Sequence, residues 1–182
     1  MAIALQEINA VCKYGPNLGI ETADRSTVFV IGPPCSGKLT FAKRFFPDHV
    51  IVDLHEIQLS GVSVWESYLI ARDQLVEALR NNPKVLLRHT LMKAKRRGMY
   101  VDAVRSVLGQ NARIECYYSL PDLETYRRYD ASDLAEWRES HPGAPAFLRT
   151  DTKLRMCLEE FEVPRKDEGF AEIHCIQAMS TI

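Results

Sequence analysis

Short apolar runs alternate with amphipathic stretches along most of this chain. The runs are rich in β-branched residues and are bounded by turn residues, a pattern typical of buried strands. Five of them predict strands at 27–31, 49–53, 84–88, 113–118 and 171–176. Helical spacing of apolar residues predicts helices between the strands. The clearest two run from Ser63, a candidate N-cap, to about Arg80, and from about Met92 to Leu108, where Gly109 ends the helix.

The alternation of strands with helices predicts an α/β fold with a mainly parallel five-stranded sheet and helices on both faces. A length of 182 residues fits one domain with a single core. We expect this domain at 27–182, after a leader at 1–26 whose structure the pattern does not indicate. A helix opening at Pro121 predicts a lid around 121–145, and 146–161 is predicted to be helical.

The loop between the first strand and the next helix carries the strongest chemical signal. Glycines stand at both ends of the loop, and Lys38 opens the amphipathic stretch that follows. In a strand, loop and helix arrangement, backbone N–H groups and the helix N-terminus cradle phosphates, and the lysine reaches the β- and γ-phosphates. The alternative is an ordinary turn with a chance lysine. The predicted nucleotide-binding residues are Gly32, Pro33, Pro34, Cys35, Ser36, Gly37, Lys38, Leu39 and Thr40.

One position of this loop departs from the phosphate-binding motif. Ser or Thr is expected after Gly37-Lys38, because its hydroxyl contacts Mg²⁺, but Leu39 stands there and Thr40 follows. The stretch resembles the adenylate kinase loop, Gly-Pro-Pro-Gly-Ser-Gly-Lys-Gly-Thr, which also lacks that hydroxyl. That family holds Mg²⁺ largely through water and nucleotide oxygens. ATP and Mg²⁺ are therefore both expected as cofactors, without a metal ligand among the side chains.

Asp53 is the second candidate catalytic residue, after Lys38. It lies at the carboxyl end of the second predicted strand, where a carboxylate can orient an acceptor hydroxyl, take its proton or hold a metal-bound water. The alternative role for Asp53 is an N-cap. No carboxylate occurs between Lys84 and Val101, so the acidic metal-side residue expected after the third strand is missing. Arg128, in the predicted lid, is the third candidate, because a closing arginine stabilises the transferring phosphoryl group.

Charge and composition limit the possible partners. The net charge of −1 gives no overall attraction to nucleic acid or membranes. Locally, 84–105 holds seven cations and one anion, which favours either a phosphate-binding surface, such as one for a nucleic-acid end, or a solvated helix face. No apolar run is long enough to span a membrane, and the five cysteines lack metal-site spacing. We expect a cytoplasmic protein whose cysteines are reduced thiols and are mostly small residues of the core.

Together these features resemble the polynucleotide-kinase-like P-loop kinases, a group that includes zeta-toxin-like proteins. Three segments within about 27–178 carry the likeness: the phosphate loop, the strand, turn and arginine pair at 85–97, and the Glu-Gly-Phe segment within 161–173. The chain departs from the pattern at His89 and Leu91, which replace the turn aspartate and asparagine. Arg128 aligns with one lid arginine, whereas the second meets Ser132.

The resemblance implies an ATP-dependent kinase that phosphorylates a hydroxyl or phosphate acceptor on a small molecule, a nucleotide or a nucleic-acid end. Two alternatives stay open. The departures at positions 39, 89 and 91 favour a nucleotide-binding regulatory or degenerate protein without transfer activity. The basic stretch at 84–105 is the local support for a polynucleotide end-processing kinase.

Overall fold

Five strands form the centre of the molecule. The computed structural model describes residues 25–33, 36–120 and 151–176. All five predicted strands are confirmed to within two residues at either end. They could be predicted because each is an apolar run bounded by turn residues. They are β1 (Ser26–Ile31), β2 (Val50–Asp53), β3 (Lys84–His89), β4 (Ile114–Ser119) and β5 (Glu172–Ile176).

The helices also follow the sequence pattern, with one addition. Ser63 caps the third helix as predicted, since its side chain accepts a hydrogen bond from the Glu66 N–H at 3.2 Å. The second helix was not predicted, because it is a single short segment directly after a strand. In chain order they are α1 (Lys38–Phe45), α2 (Leu54–Leu59), α3 (Val64–Asn81), α4 (Ala94–Leu108) and α5 (Asp151–Glu160), followed by a 3₁₀ turn (Lys166–Glu168).

The strands pair in the order β2-β3-β1-β4-β5, and every pairing is parallel. The predicted α/β architecture with a parallel five-stranded sheet is therefore confirmed. The central strand, β1, leads directly into the phosphate loop. Its neighbours β3 and β4 end beside that loop, so the side chains at their carboxyl ends lie around it.

Helices cover both faces of the sheet. On one face, α1 packs Phe41 and Ala42 onto Val28 and Val30 of β1. On the other face, α3 and α4 bury apolar residues such as Leu75 against the opposite side of the same strands. Because β1 is buried on both faces, its sequence is a largely continuous apolar run and does not alternate between apolar and polar residues.

Two general predictions can be followed in the part of the chain that the structure describes. Within these ranges, no helix has the length and apolar character needed to cross a bilayer. Cys116 and Cys175 are buried in the core, and burial raises the pKa of the Cys116 thiol, which fits the predicted role as small core residues. Cys12 and Cys35 lie outside the described residues.

Candidate functional site

The phosphate loop is held against the end of β4. Gly32 has φ of +145°, and a Cβ atom at this position would lie 2.4 Å from the backbone oxygen of Ser119. The Ser119 hydroxyl also donates a hydrogen bond to the backbone oxygen of Ser36 at 3.1 Å. The loop therefore needs glycine at its first position because the neighbouring strand approaches so closely. Pro34 and Cys35, two of the predicted binding residues, lie outside the described residues.

Lys38 is buried within its own loop. It is the first residue of α1, and its side chain turns back so that Nζ donates hydrogen bonds to the Pro33 backbone oxygen and, at 3.4 Å, to Ser36 Oγ. Only 6% of Lys38 is exposed. Gly37, the N-cap, has φ of +74° and no side chain to accept from the first amides of α1. An ammonium group and helix amides thus converge on one small region, the arrangement that binds a polyphosphate.

The two residues after the lysine provide no metal ligand at the expected place. Leu39 is half-buried and carries no oxygen, and Thr40 is exposed at the next position of the helix. Side chains at successive helix positions point about 100° apart, so Thr40 cannot present its hydroxyl where position 39 would.

Asp53 is engaged through both of its carboxylate oxygens. Oδ1 accepts a hydrogen bond from the His55 N–H at 2.9 Å, which makes Asp53 the N-cap of α2. Oδ2 forms an ion pair with Nη2 of Arg88, which lies opposite Asp53 in the β2–β3 register. The two side chains are only 11% and 13% exposed. The N-cap alternative raised for Asp53 is therefore realised, while its predicted catalytic role stays a prediction.

Sequence reasoning missed the partner of Asp53. In the sequence, Arg88 is one of the seven cations of 84–105 and stands in the segment where an acidic residue is missing. Its pairing with Asp53 depends on which residues of β2 and β3 lie side by side. The signal that could have found it is positional: a carboxylate ends one predicted strand and an arginine ends another. In a parallel sheet, side chains of the same row project from the same face, so such residues can pair.

His89, which replaces the turn aspartate of the resembling family, is a neutral core residue. Its Nδ1 accepts from the Leu91 N–H at 3.1 Å, so Nε2 carries the proton and donates to the Tyr100 hydroxyl at 3.0 Å. That hydroxyl donates in turn to the Tyr68 backbone oxygen at 3.0 Å, and the Tyr68 ring stacks on the imidazole with centroids 4.8 Å apart. Burial, followed by the charges of Lys38 and Arg96, lowers the pKa of His89 well below 6.5.

We expect the stability of the protein to fall as the pH drops below about 6.5. The pKa of His89 is lowered on folding, and that of His49 is also lowered, mainly by burial. Below pH 6.5 the unfolded chain therefore binds more protons than the folded chain. Each such histidine lowers the free energy of unfolding by up to about 1.4 kcal/mol per pH unit. Urea unfolding at several pH values measures this slope. His89→Asn should make the slope shallower, and an unchanged slope in this variant would contradict the assignment.

The neighbouring turn is fixed by a buried ion pair that joins two of the segments that carry the family likeness. Arg97 Nε and Nη2 donate to the two carboxylate oxygens of Glu168, at 2.5 and 2.8 Å. Arg97 Nη1 also donates to the backbone oxygen of Leu91 at 3.0 Å. From the other side, Glu162 accepts from the Ala94 N–H at 2.8 Å and so caps α4. These contacts hold the turn at 90–93 and explain why α4 begins two residues later than predicted.

Comparison with known proteins gives a result at the level of fold. No protein-family profile and no curated protein sequence matches the chain. Among solved structures, a kinase candidate from Chloroflexus aurantiacus matches with a TM-score of 0.63 and 10% identity, over 87% of this chain and 90% of that one. Kti12 of Chaetomium thermophilum, in complex with ADP-AlF3, matches with a TM-score of 0.55 and 14% identity, over 84% and 89%. This chain has the P-loop kinase fold.

A third match extends over more of the chain. The structure described for the PezAT toxin–antitoxin system of Streptococcus pneumoniae has a TM-score of 0.54 and 15% identity, and the alignment covers 97% of this chain and 75% of that one. At such identities the likeness shows the fold alone. It agrees with the resemblance to P-loop kinases. The roles of individual residues have to be inferred from the chemistry of this site.

The P-loop kinase fold implies a magnesium ion, but the described side chains do not fit one. Position 39 lacks a hydroxyl, and β3 ends at His89, where the family pattern has an aspartate. The nearby carboxylate, Asp53, already binds Arg88 and the His55 N–H. Within the described ranges, no group of three or more His, Cys, Asp or Glu side chains could hold a metal. The described side chains therefore supply no direct ligand, and a hard cation would depend on water and on the oxygens of the nucleotide itself.

The basic stretch at 84–105 does not form one open cationic surface. Five of its seven cations have partners among the described residues, including Lys93 with Glu160 and Glu162, and Arg96 with the ring and hydroxyl of Tyr68. The other three engaged cations are Lys84 with Asp48, Arg88 with Asp53 and Arg97 with Glu168. Arg128 and the predicted lid at 121–145 lie outside the described residues.

Proposed function

We propose that the chain binds ATP at its phosphate loop and transfers the γ-phosphoryl group to a hydroxyl or phosphate acceptor. The observation that carries this proposal is the burial of Lys38 inside the loop, on a parallel sheet of the P-loop kinase fold. In this proposal an incoming phosphate would replace the Pro33 carbonyl as the partner of the Lys38 ammonium group. We also propose a cytoplasmic location, since ATP is abundant there.

The residues have distinct roles in this proposal. Lys38 and the amides of the loop and α1 would hold the β- and γ-phosphates and stabilise the charge that develops during transfer. Asp53 would orient the acceptor and take its proton, once Arg88 releases the Asp53 oxygen that it binds. Arg128 would close over the γ-phosphate from the predicted lid. We assign no step of the transfer to the Mg²⁺ predicted from the sequence, because the described side chains offer no set of ligands for it.

Turnover of ATP by the purified protein tests the proposal, with pooled nucleosides, sugars, nucleotides and 5′-hydroxyl oligonucleotides as acceptors. We expect one pool to stimulate turnover and Lys38→Ala to lower the stimulated rate at least about a hundredfold, as for other groups that stabilise transition-state charge. Lys43→Ala is the matched control, because Lys43 is an exposed lysine of the same helix. Stimulated turnover that survives Lys38→Ala would refute the proposed role of the loop.

A second candidate function is nucleotide binding without transfer. Two observations favour it: both oxygens of Asp53 are engaged, and His89 is a neutral residue of the core with no proton to exchange near neutral pH. ATP binding that Lys38→Ala abolishes, with no turnover in any acceptor pool, would support this candidate over the kinase.

Action on a polynucleotide end has less support in the structure than in the sequence. The cations of 84–105 mostly pair with acidic or aromatic side chains of the same chain. Salt dependence separates a polynucleotide acceptor from a small one, because the release of counterions from a polyanion becomes less favourable as the salt concentration rises and the affinity falls steeply. Strongly salt-dependent binding of a 5′-hydroxyl oligonucleotide would favour a polynucleotide acceptor.

A further inference from the structure

Arg88 lies in the strand next to the one that leads into the phosphate loop, one residue before His89, which stands where the family pattern has the turn aspartate. In the sheet register, Arg88 of β3 is flanked by Val30 of β1 and Asp53 of β2. Val30 packs against Phe41 of α1, so the Arg88 and Asp53 side chains lie on the face of the sheet that α1 covers. The loop begins two residues after Val30, which places the guanidinium group on the same side of the sheet as the helix that Lys38 opens.

The guanidinium group of Arg88 has hydrogen-bonding capacity left over. Nη2 binds Asp53, but Nε is buried and has no hydrogen-bond partner within the described part of the chain. An arginine carries five N–H donors in a planar fork, which suits the oxygens of a carboxylate or a phosphate. A buried donor without a partner costs free energy, so an acceptor that reached Arg88 would be favoured.

The charges of the described site therefore differ in sign from those of a metal-binding site. Lys38 and Arg88 contribute two positive charges and Asp53 contributes one negative charge, so the three groups together carry a net charge of +1. This net positive charge would repel a divalent cation, which would also find no carboxylate without a partner among these three groups. A polyphosphate, in contrast, would be attracted by the net positive charge.

We propose that Arg88 supplies at the nucleotide phosphates the positive charge that a divalent cation supplies elsewhere, so that this chain binds nucleoside triphosphates without magnesium. The inference rests on the proposed nucleotide site. Arg88 would exchange part of its contact with Asp53 for phosphate oxygens and would keep a charge-assisted partner throughout, so the exchange does not leave a buried charge unpaired.

Calorimetric titration with ATP, in buffer with saturating MgCl₂ and in buffer with EDTA, tests the proposal. We expect the two dissociation constants of the unaltered protein to agree within about threefold. The double variant Asp53→Asn/Arg88→Gln removes both charges of the pair and avoids a lone buried carboxylate. We expect it to bind ATP about tenfold more weakly in EDTA and to regain part of that affinity in MgCl₂.

Arg80→Gln is the matched control, because Arg80 is exposed in the last turn of α3, and it should bind like the unaltered protein. Circular dichroism checks that each variant is folded. Affinity of the unaltered protein that falls tenfold or more in EDTA would overturn this inference and leave the proposed function standing. A folded double variant that binds normally in EDTA would overturn it too. Absence of ATP binding in both buffers would overturn the proposed function and this inference together.

Discussion

Replacing Arg97 with alanine is expected to lower the free energy of unfolding by about 3–5 kcal/mol. Arg97 is fully buried, and its partner Glu168 is 7% exposed. Alanine would leave the Glu168 carboxylate buried without its cation and would also remove the donor that satisfies the backbone oxygen of Leu91. A lone buried charge costs far more than a lost surface contact, because little water reaches it. Urea unfolding of both proteins at neutral pH measures the difference.

The control for this prediction is an ion pair at the surface. Arg113 pairs with Glu115 and Glu172, but 60% of its side chain is exposed. Arg113→Ala should therefore cost less than about 1 kcal/mol. The double variant Arg97→Met/Glu168→Leu replaces the buried pair with apolar side chains and should be less destabilised than Arg97→Ala alone. Equal costs for Arg97→Ala and Arg113→Ala would show that the buried pair does not hold the turn.

The fold could be predicted from the sequence because its signals are local. Each strand is a short apolar run, and Ser63 and Gly109 mark helix ends through the conformation of one residue. The phosphate loop is equally local, with its glycines and Lys38 inside one short segment. Such features depend on neighbours within a few positions, which a single sequence displays directly.

The ion pairs of the site could not be predicted in the same way. Arg97 and Glu168 are 71 positions apart, and Asp53 meets Arg88 only through the register of β2 and β3. A run of cations in the sequence therefore reads as a basic surface until the fold brings acidic side chains to it. His89 illustrates the same limit, since its neutral state depends on the aromatic residues that α3 and α4 place around it.

The difference between local sequence signals and contacts made by the fold also changes the interpretation of the departures from the P-loop kinase pattern. In the sequence, His89 and Leu91 read as losses, because an aspartate and an asparagine are missing. In the structure, His89 completes a hydrogen-bonded network and Leu91 is fully buried in the core. At positions 89 and 91 the chain thus has a neutral and an apolar residue that belong to the core. Arg97 holds the backbone of the turn at 90–93, which carries no acidic side chain.

Replacing Gly32 with alanine is expected to disrupt the phosphate loop. The new Cβ would lie 2.4 Å from the Ser119 backbone oxygen, a contact that only a movement of the backbone can relieve. The φ of +145° adds strain for any residue with a side chain. We expect a loss of stability of about 1–3 kcal/mol and a decrease in ATP affinity of at least about tenfold, measured by calorimetric titration.

Gly98→Ala separates this local effect from a general effect of removing glycine. Gly98 lies inside α4, and an added Cβ would meet nothing within 4 Å. Alanine in a helix interior is favoured over glycine by about 0.5–1 kcal/mol, so this variant should be slightly more stable and should bind ATP normally. A folded Gly32→Ala protein with unchanged ATP affinity would mean that the phosphates bind away from the loop, and the role of Lys38 would then fail with it.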